Sequence, residues 1–345
     1  SDYVLPASVE LAELPHYSKL SLIREVVRAS LGTFTGMWRG LRRVDKVWVL
    51  GPHPFSLILI ALAIIQRKSL VLGVRQNTLA YYRARLPSNA WRPILGGIWL
   101  IDVAYRLLAR VIPTTVVGRE IARHYSAGHS VLTMTASLVR AEEIADAPPI
   151  RTWENQITLL SVGRVEPEKN PLLLVEALAR LNGQFPDRFR VIWLGRGELE
   201  ADVRRRAEEL RVSDAFVLRG YVPFGDELFR LYRDAHVFVH VSLTEGLPQV
   251  IVEALAAGTP VVATDVGSVA DALDGGRAGL LVPLGDVDAL VAAIRRIVTD
   301  AHLRNRLVAR GLELARNRTL EAQAERVARF IAGDASLRAD PGSVA

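Results

Sequence analysis

The chain has 345 residues, half of them apolar and 23% charged, a globular composition with length enough for two domains of ordinary size. It contains no cysteine, which excludes disulfides, thiolate metal sites and cysteine catalysis and fits a reducing cytoplasm. The net charge of +6 is unevenly placed: residues 1–150 hold 18 Lys and Arg against 10 Asp and Glu, and the stretch Arg24–Arg123 holds 16 against 4. Such a stretch is either a solvated, arginine-rich surface or a face for anionic lipid or a phosphorylated acceptor. Nucleic acid is set aside, because aromatics are sparse and no binding motif is interleaved with the arginines.

In chain order, the sequence opens "SDYV" without Met, so the native N-terminus is expected upstream of it. Strands are predicted at 44–51, 69–74, 113–118 and 130–134, with helices around 56–67, 93–110 and 119–126 between them. The longest apolar run, "SLILIALAII" (56–65), is too short to span a bilayer and reads as a buried helix. "ADAPPIRTWEN" (145–155) is polar with a Pro pair and reads as a linker. Alternation then restarts. Strands are predicted at 157–163, 190–195, 216–220, 237–241, 260–264 and 278–283, and helices at 171–181, 198–210, 225–235, 248–257, 286–299, 301–316 and 319–332. This pattern predicts an α/β protein of two Rossmann-like, doubly wound parallel-sheet domains facing across a cleft, with ligands at the carboxyl ends of the strands. The expected division is 1–148, basic and acceptor-side; 149–318, donor-binding; and a terminal helix and tail, 319–345, returning to the first domain.

The chemistry concentrates in "EGLPQVIVEALAAGTPVVATDVG" (245–267). Pro248 suits a first helical turn, Gly258 closes the helix and Pro260 prevents its continuation. The amides of residues 248–251, less proline's, are then an anion site at the positive end of a helix dipole. Glu245 precedes this helix and Glu253 lies inside it. In "SVGRVEPEKNPLLL", Arg164 and Lys169 leave the end of the second domain's first strand, and Pro171 opens the next helix. Such a cation pair can neutralise a diphosphate, Arg as a fork and Lys as a point charge, leaving the two glutamates for hydroxyls of a sugar and a ribose.

These segments, with "VIWLGRGELE", "FVLRGYVPFGDELFRLYRDAHVFVHVSLTEGLPQ" and "GLLVPLGDVDAL", resemble the C-terminal domain of retaining GT-B-fold glycosyltransferases, the large group 1 family with bacterial mannosyl- and glucosyltransferases. The acid, seven residues, acid spacing of Glu245 and Glu253 is the most specific element, and the resemblance is strong over roughly 155–300 and only outlined before that. It implies a metal-independent hexosyl transfer with retained configuration from a UDP- or GDP-linked sugar, without a resident cofactor. Arg164 and Lys169 would hold the diphosphate. Glu245 would contact the donor sugar with Gly246 and Leu247, and Glu253 the ribose. Gly163, Pro248, Gln249 and Val250 complete the implied donor site, and 218–222, with Arg219, Tyr221 and Val222, would face the base.

The sequence departs from the family in three places. "HVS" (240–242) stands where "PS" is common, with a small residue kept at Ser242. The family's His in the first domain has no counterpart after "SLVLGV", which runs into Arg75, Gln76 and Asn77. Arg75 and His53 are the acceptor-side candidates, although a loop His capping a turn is an equal reading of His53. The family's first strand and its glycine-rich turn are not evident, which implies a shortened first domain. The expected partners are a nucleotide sugar and an anionic or lipid-linked acceptor, with a cytoplasmic protein held peripherally at the inner face of the plasma membrane. A nucleotide-sugar epimerase and a non-catalytic nucleotide-sugar binding protein are the alternatives.

Overall fold

The structure is a computed structural model and describes residues 23–75, 78–79, 92–135, 137–246 and 248–337. It divides into two compact units. The first holds the chain up to Val116, Ile121–Leu132 and the end from Phe330 on; the second holds Val117–Glu120 and Thr133–Arg329.

The first unit begins with α1 (Ile23–Leu41), β1 (Lys46–Gly51), α2 (Pro54–Ile65) and β2 (Ser69–Val74). It continues with α3 (Arg92–Leu108), β3 (Thr114–Val117), α4 (Arg119–His124) and β4 (Val131–Met134). The sheet order is β1-β2-β3-β4, with β1 parallel to β2 and β2 parallel to β3. The run 70–74 is apolar because a strand with neighbours on either side and helices over the sheet has little wet side to alternate with, whereas the edge strand β1 buries Val49 and leaves Trp48 and Leu50 exposed. Val49, Leu72, Val74 and Val116 are buried with Ile60 of α2 and Tyr105 of α3.

The second unit runs β5 (Ile157–Val162), α5 (Pro171–Gln184), β6 (Phe189–Leu194), α6 (Glu200–Glu209) and β7 (Phe216–Gly220). Then come α7 (Asp226–Asp234), β8 (Val237–His240), α8 (Gln249–Ala256), β9 (Val261–Thr264), α9 (Val269–Ala272) and β10 (Leu280–Val282). Helices α10 (Val287–Thr299) and α11 (Ala301–Arg316) follow, then α12 (Leu320–Ala332), which belongs to this unit up to Arg329. The sheet order is β10-β9-β8-β5-β6-β7, with every adjacent pair parallel. Numbered within this unit, the order is that of the doubly wound dinucleotide-binding folds. It reverses direction between β5 and β8, and the carboxyl ends of those two strands form the crevice where ligands bind in such sheets.

The segment 145–155 is laced to the second unit. Arg151 is mostly buried and donates to the carbonyls of Arg233 (3.1 Å) and Gly258 (3.2 Å) and to Thr259 Oγ1 (3.2 Å). Burial brings its guanidinium down to about 10. The Trp153 ring takes the Arg304 guanidinium at 3.8 Å from its centroid, a cation–π contact.

Candidate functional site

The site of interest sits where β5 and β8 end. After β5 the chain makes a single 3-10 turn, Pro167–Lys169, and Asn170 then turns left-handed (φ 49°) to start α5 at Pro171. After β8 it runs through 241–248 into α8. The two loops are tied together, since the Leu243 amide donates to the Glu168 carbonyl at 2.8 Å. This bond places Lys169 beside Glu245.

Lys169 Nζ lies 2.5 Å from Glu245 Oε1, and Ser242 Oγ donates to the same oxygen at 2.8 Å. His240 Nε2 approaches it to 3.0 Å, but too obliquely for a hydrogen bond. The Lys169 side chain is 21% exposed and that of Glu245 10%, so this is a largely desolvated ion pair. Burial alone would raise the Glu245 carboxyl, but His240 and Lys169 together hold it down at about 2. Glu245 is therefore ionised throughout the neutral range. Gly163, the residue after β5, lies under Lys169: a Cβ there would come within 3.6 Å of the Lys169 Cγ and Cδ atoms.

Gly267 fixes the other side of Glu245. It has φ 53°, and a Cβ on it would fall 1.8 Å from the Glu245 carbonyl oxygen, so no other residue fits without moving the loop. Gly246 has open space around it.

Helix α8 ends as expected. Gly258 (φ 67°) donates to the Leu255 carbonyl at 3.1 Å and Thr259 to that of Ala254 at 2.9 Å, the two bonds of a Schellman cap. Its start differs from expectation. Pro248 is the N-cap, one position before the helix, and the Ile251 amide bonds back to the Pro248 carbonyl at 3.2 Å. Ile251 is thus removed from the expected anion-binding amides, because the first turn closes tightly on the cap. Gln249 and Val250 are half-buried at the start of α8.

Glu253 points into the interior, 6% exposed. Tyr232 of α7, fully buried, donates its hydroxyl to Glu253 Oε2 at 2.8 Å. Burial raises the Glu253 carboxyl, the Tyr232 bond opposes this, and the charge of Glu143 adds to the rise.

Among the remaining sequence candidates, Arg164 and Arg219 have other ion-pair partners. Arg164 is 56% exposed, and its guanidinium forks between Glu166 and Glu168 of its own turn, not Glu245. Arg219 pairs with Glu227 at 3.1 Å, Tyr221 is exposed, and Val222 packs against the core. In the first unit, Arg75 is exposed at the end of β2. His53 caps α2, its Nδ1 accepting the Phe55 amide at 3.2 Å. Leu247, Gln76 and Asn77 lie outside the described residues. Sequence reasoning missed His240, Tyr232 and Gly267. The readable signal was His240: a His closing the otherwise apolar strand "VFVHV", at the crevice end of a central strand.

Comparison with known proteins bears on the family and the fold. Residues 144–313 match the family of glycosyl transferases group 1. Over 249 residues the chain is 33% identical to the phosphatidyl-myo-inositol mannosyltransferase of Mycolicibacterium smegmatis, covering 71% of this chain and 57% of that one. Over 170 residues it is 35% identical to the lipopolysaccharide core biosynthesis glycosyltransferase LpsE of Rhizobium meliloti (49% and 45%). Over 230 residues it is 30% identical to a D-inositol 3-phosphate glycosyltransferase of Streptomyces bingchenggensis (62% and 50%). The chain thus spans about half the length of the curated relatives it matches. Among solved structures, Anabaena Alr3699/HepE in complex with UDP superposes with a TM-score of 0.65 at 17% identity, covering 88% of this chain and 84% of that one. A glycosyltransferase of Rickettsia africae gives 0.64 at 14% (91% and 89%). These two similarities bear on fold alone. Residues 144–313 form a domain of the glycosyl transferases group 1 family, and the chain carries the two parallel-sheet α/β domains of the GT-B fold.

Proposed function

We propose that this chain is a glycosyltransferase that moves a hexose from a UDP- or GDP-linked sugar to a cell-envelope acceptor, lipid-linked or polysaccharide, with retention of configuration. The observation that carries the reading is the buried Lys169–Glu245 pair at the switch point of the second sheet, beside the first turn of α8. A diphosphate placed there meets a cation and a helix start. When the bond between the anomeric carbon and the diphosphate breaks, the nucleotide leaves with the electron pair, and Lys169 offsets the charge that develops on it. Arg164 is the second cation: exposed ion pairs contribute only about 0–1 kcal/mol, so its fork can leave Glu166 and Glu168 for a phosphate at little cost. Glu245 then accepts from hydroxyls of the sugar and Glu253 from those of the ribose, and the stretch 219–222 faces the base. In this reading protein cations take the place of a divalent ion, so turnover is expected to survive EDTA.

The acceptor is proposed from two supports. Relatives are named for phosphatidyl-inositol, inositol phosphate and lipopolysaccharide core, all anionic components of bacterial cells or envelopes. The basic first half, in which Arg75 and His53 are the acceptor-side candidates, also exposes Phe55, Ile58, Ile64 and Ile65 on α2 and Trp99, Leu100 and Leu107 on α3. Exposed apolar side chains in a basic stretch of sequence suit the surface of an anionic membrane. No helix among the described residues is long and apolar enough to cross one. We therefore place the protein peripherally, at the inner face of the plasma membrane.

Incubation with UDP-glucose or GDP-mannose and anionic lipid extract tests the activity. Free nucleotide with a glycosylated product supports it. An isomerised donor would make the chain an epimerase, and tight binding without turnover a binding protein.

A further inference from the structure

His240 is the last residue of β8, and its side chain is 3% exposed. Its ring lies alongside that of Phe238, two positions earlier on the same face of the strand, with centroids 6.3 Å apart and planes at 21°. The other residues of the segment, Val237, Phe238, Val239 and Val241, are all buried and apolar. A leucine at 240 would fill this place without stranding a polar atom, whereas His240 leaves Nε2 buried without an aligned partner among the described residues. Leaving a buried nitrogen unpaired costs its full desolvation, so this ring lowers the stability of the strand that carries it.

Glu245 Oε1 lies 3.0 Å from that nitrogen. Oε1 is also the oxygen that takes Lys169 Nζ at 2.5 Å and Ser242 Oγ at 2.8 Å. All three contacts gather on one oxygen of the carboxylate, and among the described residues none is recorded on Oε2. A glutamate carboxylate turns easily about its last torsion, so a carboxylate held by one partner has no fixed aim. Lys169 and Ser242 both bond to this one oxygen, and a third bond from Nε2–H, already 3.0 Å away, would hold the plane and leave the other oxygen in a constant direction.

We propose that His240 is a positioning residue for the donor sugar: its Nε2–H pins Glu245 Oε1 and thereby fixes Oε2 as the acceptor for a hydroxyl of the sugar. The proposal rests on the reading of Glu245 as the sugar contact of a nucleotide-sugar site. It separates the two halves of the donor, because the nucleotide does not depend on Oε2 and the sugar does.

The experiment is calorimetric titration of the full chain with UDP and UDP-glucose, and with GDP and GDP-mannose. It compares the parent with His240→Gln, which keeps a nitrogen donor at similar reach, and His240→Met, which fills similar space without one. The measured quantity is the ratio of nucleotide-sugar to nucleotide affinity. We expect this ratio to fall about tenfold in His240→Met, the size of one lost hydrogen bond to a charged group, with nucleotide affinity within about twofold of the parent. The Gln variant should recover most of the ratio. An unchanged ratio in the Met variant overturns the proposal, and so do equal losses for nucleotide and nucleotide sugar in both variants with lowered melting temperatures, the pattern of a residue that only packs. If the parent binds none of the four ligands, the nucleotide-sugar reading itself fails and takes this inference with it.

Discussion

At the residue scale the two glutamates of the motif occupy opposite electrostatic settings. Glu245 is held ionised, so its contribution to stability is present above its ordinary value near 4.5 and is lost as pH falls toward about 2. Glu253 is the reverse. Its raised carboxyl favours the protonated form in the fold, so its stabilising contribution is present below about 4.5 and is lost as pH rises through the folded value. A fold that disfavours the charged form of this carboxyl loses stability as pH rises above about 4.5, unless a ligand uses the charge. We predict that Glu253→Gln melts higher than the parent at pH 7–8 and loses part of the decline with rising pH. The same variant should bind UDP or GDP about 10- to 100-fold more weakly, the range of a lost charge-assisted hydrogen bond. Thermal melts across pH together with nucleotide titration check both halves; a variant that is less stable and binds normally would remove Glu253 from the site. Lys169→Ala should act differently, lowering turnover by more than it weakens binding, because its charge matters most when the diphosphate departs. Steady-state kinetics show the split, and an unchanged kcat contradicts the role.

Charge and spacing made these residues legible. The two acids with seven residues between them, and a cation pair at a strand end, stand out in the sequence because their types are costly to bury. His240 and Tyr232 were harder to find. A tyrosine in the amphipathic pattern of α7 and a histidine closing a strand both read as packing until the fold sets them against a carboxylate.

At the scale of elements, strands and helices follow from hydrophobic period and from Gly and Pro punctuation. Gly258 was readable as a helix end because a left-handed residue is needed there, and the Schellman bonds show it in place. Gly267 was not, since its constraint is a through-space approach to the Glu245 carbonyl from a loop 22 positions on. Replacing it with alanine must push that carbonyl away, at a cost of about 1 kcal/mol or more from the backbone conformation alone. We predict that Gly267→Ala lowers the melting temperature and abolishes nucleotide-sugar binding, as measured by thermal shift with and without UDP-glucose. Undiminished ligand stabilisation would show that the loop tolerates displacement. The Pro-rich stretch 145–155 illustrates the limit of composition. Its polarity suggests a loose connection, yet Arg151 finds carbonyl partners and Trp153 an arginine, contacts that only the folded neighbours supply.

At the scale of the whole molecule, two α/β sheets were legible from alternation, and the reversal of strand order in the second unit explains why the chemistry gathers after β5 and β8. Acceptor chemistry leaves a weaker imprint, because the basic charge of residues 24–123 can be read as solvation or as a binding face. Co-sedimentation with phosphatidylglycerol vesicles distinguishes the two. We expect binding at low salt that fades as ionic strength rises and the Debye length contracts, with none to neutral phosphatidylcholine; absence of binding at low salt would reduce the charge to ordinary surface.

The most direct test of the central claim is a crystal structure of the chain with UDP or GDP bound. The account predicts diphosphate oxygens within hydrogen-bond reach, about 2.7–3.2 Å, of Lys169 Nζ and of an amide in the first turn of α8, with the ribose hydroxyls at Glu253. A nucleotide seated away from the ends of β5 and β8, with the Lys169–Glu245 pair untouched, would contradict it.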